Sequence, residues 1–299
     1  MAIYETPLGT GRSFTPQEAG EYFIDKLNAE SIGLLSGMTV VRTDRRELLV
    51  PRLTADAGTK WANEGDDLLT SDMVADTITA TPRKLAALNV ISNEVRVDSV
   101  PAILNALGTS MVRALALRLD KGIYEGSGIA PEVRGLRNTS GVGSVSMGAN
   151  GAALANLDAI ADALGTLAGN NANATAIAMH PRTWQSLSKV KTAPTGSNQP
   201  ILSTGATLAD GISRALFGVP VYLSSQLSVT ETQGTATNAS SIYAYAADQV
   251  MVVFRSDATV EVDSSAAFRT DESLVRAIVR ADVVVPNPAA VVRIAGVTP

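Results

Sequence analysis

The 299-residue sequence has no cysteine, a single histidine and few aromatic residues, which make up 4% of the chain. Without cysteine, disulfides and thiolate metal sites are excluded, and the composition suits assembly in a reducing cytoplasm. No apolar run approaches the roughly 18 residues that a membrane-spanning helix needs, so we expect no membrane partner. The first residues lack a basic segment followed by an apolar one, so we expect no secretory signal.

The chain also lacks an excess of positive charge, since its formal net charge is -5 at pH 7. A protein that binds DNA tightly usually carries a basic surface, because phosphate contacts supply much of the affinity. The charge balance therefore argues against tight DNA binding. It still permits a wall that encloses DNA, because like charges keep a packaged polymer from adhering to it.

Catalytic motifs are equally scarce. The lone histidine, His180, has no second histidine or cysteine with which to form a zinc site or a dyad, so we interpret it as a strand-to-helix junction residue. Residues 186–189 spell S-x-x-K without the companion motifs of serine β-lactamases. The acidic residues at 64, 66, 67 and 72 do not have the spacing of an EF-hand loop. We predict no catalytic residue, no cofactor and no metal site, and therefore not an enzyme.

In the first half, the sequence pattern predicts an extended arm at 1–15 and a helix at 18–29. It then predicts two strands, at 38–42 and 47–52, followed by a polar excursion at 53–82. One tryptophan among thirty mostly polar residues cannot close a local core, so we expect a two-stranded excursion from the body. The strongest helical pattern runs from Val100 to Tyr124, with Asp98 or Ser99 as its N-cap. A helix of that length spans about 37 Å, which makes it a structural beam.

The second half alternates between helical and strand patterns, so the fold class that we predict is α+β. We expect helices at 154–167 and 182–190, and strands at 175–179, 219–224, 242–245 and 274–285. In the last strand, one face is formed by Val275, Ala277, Val279, Ala281 and Val283.

Several segments, in order along residues 35–295, resemble the Hong Kong 97-type major capsid proteins of tailed bacteriophages. They are Trp61 to Gly65, Lys84 to Glu94, Asp98 with the long helix, Glu125 to Leu136, Met179 to Trp184, Leu216 to Val221, and Phe268 to Pro286. Each segment is weakly specific by itself, and the specificity comes from their order. The resemblance implies a shell subunit that assembles with copies of itself.

The resemblance also implies a division of the chain. The N-terminal arm is 1–35, the P-domain with its spine helix is 36–52 and 83–135, the E-loop is 53–82, the A-domain is 136–247, and the returning P-domain strands are 248–299. The implied partners are sister copies in pentamers and hexamers, scaffold and portal proteins, and double-stranded DNA enclosed without sequence-specific binding. The implied location is the virion, assembled in the cytoplasm of a bacterial host.

We expect the E-loop to contact a neighbouring subunit. Trp61 is the candidate anchor in an apolar pocket of the neighbour, and the alternative is packing at the base of its own loop. The acidic residues Glu64, Asp66 and Asp67 are candidates for ion pairs across subunit boundaries, and solvation is the alternative. The candidate cationic partners are Arg113, Arg118, Arg276 and Arg280.

Two departures from the family pattern matter. Many relatives carry a longer N-terminal scaffolding segment that a protease removes, whereas this chain starts with Met near the arm, which favours a separate scaffold. Some relatives form Lys–Asn cross-links; Lys60 lies in the E-loop, but residues 269–280 contain no asparagine, so we expect no cross-linking. The alternatives to a phage capsid protein are an encapsulin shell, which encloses a cargo enzyme, and a soluble α+β enzyme or binding module.

Overall fold

The computed structural model describes residues 31–55, 61, 63, 74–92, 101–191, 199–202, 214–267 and 269–299. The arm helix expected at 18–29 and the N-cap expected at Asp98 or Ser99 lie outside these residues. No helix in these ranges is long and apolar enough to cross a membrane.

The described residues form helices and strands in an α+β arrangement. The helices are α1 Ile32–Leu35, α2 Pro101–Glu125, α3 Asp158–Gly169 and α4 Pro181–Lys189. The strands are β1 Thr39–Thr43, β2 Leu48–Ala55, β3 Val74–Ala80, β4 Arg83–Ser92, β5 Gly143–Ser146, β6 Ala152–Ala153, β7 Ala176–Met179, β8 Ala215–Leu216, β9 Val219–Leu223, β10 Glu231–Gln233, β11 Ala236–Tyr245, β12 Met251–Ala267, β13 Glu272–Val284 and β14 Val291–Thr298. Three single-turn 3₁₀ helices lie at 136–138, 247–249 and 288–290.

The smaller of the two main sheets has the order β1-β12-β13-β4. Alternation along β13 sends one set of side chains to the core, and the five residues expected on that face are all buried in the first core cluster. The spine helix α2 contributes Met111, Leu115 and Leu119 to the same core. Burial of each large apolar side chain contributes about 1.5–3 kcal/mol, so packing holds this helix from Met111 onward.

The larger sheet has the order β5-β14-β11-β7-β9-β8, with β10 also paired to β11 and β6 to β14. Strand β7 is buried at all four positions, as expected for a central strand covered on both faces. Helix α3 buries Ile160, Ala163 and Leu167 in a second core, which α4 joins through Leu187. The helices and strands expected between 154 and 245 are thus all present, with ends shifted by a few residues.

A third, two-stranded sheet joins β2 to β3, with Leu48 opposite Ala80. The two strands expected at 38–42 and 47–52 both form, but β1 pairs with β12 in the smaller sheet. The hairpin therefore begins at Leu48, five residues before the E-loop boundary that we expected at 53. Local patterns identify strands but not their partners, which explains the difference.

The last strand corrects the expected assignment of all of 248–299 to the P-domain. Strands β12 and β13 do lie in the smaller sheet, whereas β14 lies between β5 and β11 in the larger one. Six of its eight residues are buried, as befits a central strand. Burial on both faces removes the alternation that would reveal which sheet a strand joins.

Candidate assembly surfaces

The C-terminal half of the spine helix α2 is joined to the larger sheet by buried hydroxyl groups. The Tyr124 hydroxyl lies 2.9 Å from that of Tyr245 in β11, and the Tyr245 hydroxyl donates to Ser36 Oγ at 2.8 Å. Burial raises the pKa of Tyr245 to about 12, and it raises the pKa of Tyr124 well above the ordinary value. Both tyrosines are therefore neutral hydrogen-bonding groups that fix the helix against the sheet.

The first described residues attach to the same helix through Asp120. Its fully buried carboxylate accepts hydrogen bonds from the Ser31 hydroxyl at 2.6 Å and from the backbone N–H groups of Ile32 at 3.1 Å and Gly33 at 3.0 Å. Burial raises the pKa of Asp120, and the three hydrogen bonds act in the opposite direction. The carboxylate thus satisfies donors at the N-terminus of α1.

Trp61, the candidate anchor, is 104% exposed. It lies in the segment between β2 and β3, and both interpretations, an anchor in a neighbour and packing at the base of its own loop, stay predictions. The acidic candidates Glu64, Asp66 and Asp67 lie outside the described residues. A fully exposed tryptophan leaves a large apolar area in water, which is typical of a residue that is covered in a complex.

A groove of about 160 Å³ lies between the spine helix, β4 and the 131–133 loop. Its apolar lining includes Leu85, Leu119, Pro131 and Val133, and Arg83 and Arg118 also line it. A cavity of about 150 Å³ admits a benzene molecule, so this groove has the size for one aromatic ring. The sequence did not indicate it, because its walls come from three separate segments.

The four cationic candidates lie on α2 and β13. Arg113 is exposed on α2, and Arg118 forms a 3.2 Å ion pair with Glu132 beside the groove. Arg276 forms an exposed ion pair with Glu261 of β12. Exposed pairs contribute only about 0–1 kcal/mol, so these partners exchange readily for others.

Arg280 belongs to a row of cations across the smaller sheet. It lies directly opposite Lys84 of β4 on one side and Arg255 of β12 on the other. Opposite positions of antiparallel strands share a face, and this face is the one opposite the buried alanines and valines of β13. Like charges placed side by side raise the local positive potential.

One buried ionic cluster was not indicated by any motif. Glu231, 4% exposed, lies 2.7 Å from Arg293 and 3.2 Å from Arg137, and it accepts a 2.7 Å hydrogen bond from Ser241. The four residues come from β10, β14, β11 and the turn at 136–138. They link β10 and the turn at 136–138 to the neighbouring strands β11 and β14 of the larger sheet.

His180 occupies the position that we expected, between β7 and α4. Its Nδ1 accepts a 2.9 Å hydrogen bond from the N–H of Arg182, which makes it the N-cap of α4. Burial lowers the pKa of His180, and the charge of Arg182 lowers it further. Within the described ranges, no group of three His, Asp or Glu side chains is arranged to hold a metal ion.

The model of the phage capsid family matches residues 11–296. The chain belongs to this family. Solved structures agree: the capsid of a native GTA particle is 20% identical with a TM-score of 0.69, covering 100% of this chain and 96% of that one. A structure from Mycobacterium phage Bobi is 15% identical with a TM-score of 0.67 (98% and 95% covered), and one from Mycobacterium phage Cain is 14% identical with a TM-score of 0.66 (90% and 90% covered). No curated protein gives a significant match.

The capsid family confirms the resemblance that the sequence suggested, and the structural neighbours confirm the Hong Kong 97-like fold. The chain is a major capsid protein that forms an icosahedral shell, and neither the encapsulin nor the enzyme alternative is favoured. It is a structural, self-associating protein, and its place is the virion.

Proposed function

We propose that the capsid protein assembles into pentamers and hexamers of a closed shell that encloses double-stranded DNA, and that it acts without catalysis. The observation that carries the proposal is the full exposure of Trp61 on a two-stranded excursion. Such a residue gains free energy only when a partner covers it. In a shell, each weak contact is repeated at high effective concentration, so modest contacts suffice for a stable particle.

The groove beside the spine helix is the receptor that we propose for Trp61 of a neighbouring copy. Its apolar walls suit an aromatic side chain, and its arginines suit the acidic residues that follow Trp61 in the sequence. The cationic partners that we propose for Glu64, Asp66 and Asp67 are Arg118, beside the groove, and Arg113, elsewhere on the same helix. The row of Lys84, Arg280 and Arg255, with Arg276 nearby on β13, is the second cationic surface that we propose for acidic neighbours.

Enclosure of DNA without specific binding is supported by the net charge of -5. An acidic wall repels packaged phosphate and leaves the polymer mobile inside the shell. The absence of cysteine in the sequence supports assembly in a reducing host cytoplasm. Scaffold and portal proteins complete the proposed set of partners.

Expression of the full chain, followed by size-exclusion chromatography and electron microscopy, tests the proposal. We expect closed particles with fivefold and sixfold clusters of subunits. A stable monomer of 31.0 kDa or a small oligomer would overturn it. Particles that contain a cargo enzyme, and no DNA that resists nuclease, would identify an encapsulin-type shell.

A further inference from the structure

The hairpin between β8 and β9 ends in a strained, exposed aromatic residue. Leu216 pairs with Val219, so Phe217 and Gly218 form a two-residue turn, with φ of 51° and 80°. Positive φ at both positions defines a type I′ turn, for which Asn-Gly is the preferred sequence. Glycine adopts this conformation freely, whereas a bulky residue such as phenylalanine is strained in it.

Phe217 is unlike the other described residues in this conformation. The other non-glycine residues with positive φ in those ranges are Asn171 and Asp271, which adopt it at low cost. The Phe217 ring is also 58% exposed. Phenylalanine thus disfavours the folding of the lone chain in two ways: backbone strain and apolar surface in water. Where a residue violates local preference without compensation in its own chain, function is the usual reason.

The turn projects from the body of the chain. Strand β8 is the outermost strand of the larger sheet, and a Cβ placed on Gly218 would meet no atom within 4 Å. The base of the hairpin, in contrast, is firmly held, because Leu216 is buried in the second core and Val221 donates a 2.8 Å hydrogen bond to Arg214. A rigid base presents the ring at a fixed place, as a contact residue requires.

We infer that Phe217 is an intersubunit contact, inserted into a different surface of a second copy of this chain around a capsomer. The inference rests on the proposed shell and deepens it by naming a contact independent of Trp61. A second copy is the occupant because the chain assembles with copies of itself, and because no described strand pairs with the outer side of β8. In a ring of subunits such contacts are heterologous: the edge of one copy meets a different surface of the next.

The test uses the full chain with Phe217→Asn and, as the matched control, Phe217→Tyr. Asparagine relieves the strain and removes the ring, so the dissociated subunit unfolds at an equal or higher denaturant concentration than wild type. Its assembly nevertheless requires at least about a tenfold higher subunit concentration, as expected for a hot-spot aromatic. Tyrosine retains both the ring and the strain, so it matches wild type in both measurements.

Sedimentation velocity at fixed concentrations reports the assembled fraction, and denaturant unfolding reports subunit stability. The inference is overturned if Phe217→Asn assembles like wild type, or if its subunit unfolds more easily, which would place the ring within its own chain. Phe217→Asn particles that form normally but lack a different protein that wild-type particles bind would also overturn it, because the ring would then contact that protein. A wild-type chain that forms no particles overturns the proposed function itself.

Discussion

Asp120 of the spine helix accepts a 2.6 Å hydrogen bond from the hydroxyl of Ser31, and both residues are completely buried. Eighty-nine positions separate them in the sequence. This contact, with two further bonds from the backbone of α1, fixes the N-terminus of α1 against the spine helix.

Replacement of Asp120 by alanine should lower the free energy of unfolding by about 2–3 kcal/mol, because it leaves buried donors at Ser31 and Gly33 without an acceptor. Urea unfolding of the dissociated subunit measures this. Asp120→Asn is the control, since its carbonyl oxygen can still accept from these two donors, and it should cost less than alanine. Equal costs for the two variants would show that packing matters here and hydrogen bonding does not.

The sequence predicted the elements built from local periodicity well. The length of α2 and the buried face of β13 followed from spacing alone, because a helix and an alternating strand repeat their pattern over many residues. Pairing of β2 with β3, and the place of β14 in the larger sheet, depend on long-range partners that no local pattern encodes. For the same reason the groove, the Asp120 contact and the strain at Phe217 became evident only in three dimensions.

For the candidate contact residues too, the sequence revealed some features and only the structure revealed others. Trp61 stood out by composition, as one of two tryptophans placed in a polar stretch, and its exposure agrees with the anchor that we propose. The arginines were chosen by charge, and charge alone could not show that Arg118 and Arg276 have acidic partners in their own chain. Nor could it show the alignment of Arg280 with Lys84, which arises from the register of β13 and β4.

His180 should make subunit stability depend on pH. Its pKa is lowered in the folded chain, so between that value and about 6.5 the unfolded chain binds more protons. The stability contributed by neutral His180 is therefore present above pH 6.5 and is lost as the pH falls through the folded pKa. Asparagine at this position keeps an N-cap acceptor and does not titrate.

We accordingly expect the stability of wild type relative to His180→Asn to decrease on acidification from pH 7.5 to pH 5. Denaturant unfolding of both proteins at a series of pH values provides the measurement. Parallel pH profiles would exclude His180 as the titrating group.

Glu231 and Glu261 both pair with arginine, and the structure predicts very different costs for their removal. Glu231→Gln leaves Arg293 and Arg137 facing a buried site without a counter-charge, so unfolding should become easier by about 3 kcal/mol. Glu261→Gln, at the exposed pair with Arg276, should cost less than about 1 kcal/mol. Calorimetry or urea unfolding distinguishes them, and similar losses in the two variants would contradict the difference in burial.

Ion pairs between copies should make assembly sensitive to salt. The screening length falls from about 10 Å at 0.1 M to about 3 Å at 1 M salt, so the assembled fraction should fall over this range. Neutralisation of Asp66 and Asp67 to asparagine should weaken assembly at low salt and flatten the dependence. Asp162→Asn, at an exposed carboxylate of α3, is the control that should leave the dependence unchanged. If light scattering shows an assembled fraction that is indifferent to salt, these pairs do not contribute.

The two tryptophans of the chain provide a direct test of the E-loop contact. Trp184 is partly buried against the second core, so Trp184→Phe leaves Trp61 as the only tryptophan and keeps an aromatic ring at position 184. Fluorescence of this variant should shift from the emission of a water-exposed indole in the free subunit to a shorter wavelength in the particle.

Trp61→Ala should leave the free energy of unfolding within about 0.5 kcal/mol of wild type, because the ring is exposed, while particle yield falls sharply. Trp184→Ala should do the reverse and destabilise the subunit by about 3 kcal/mol, since it opens a cavity in the core. Unchanged emission on assembly, or full particle yield from Trp61→Ala, would show that the loop is not anchored by this ring.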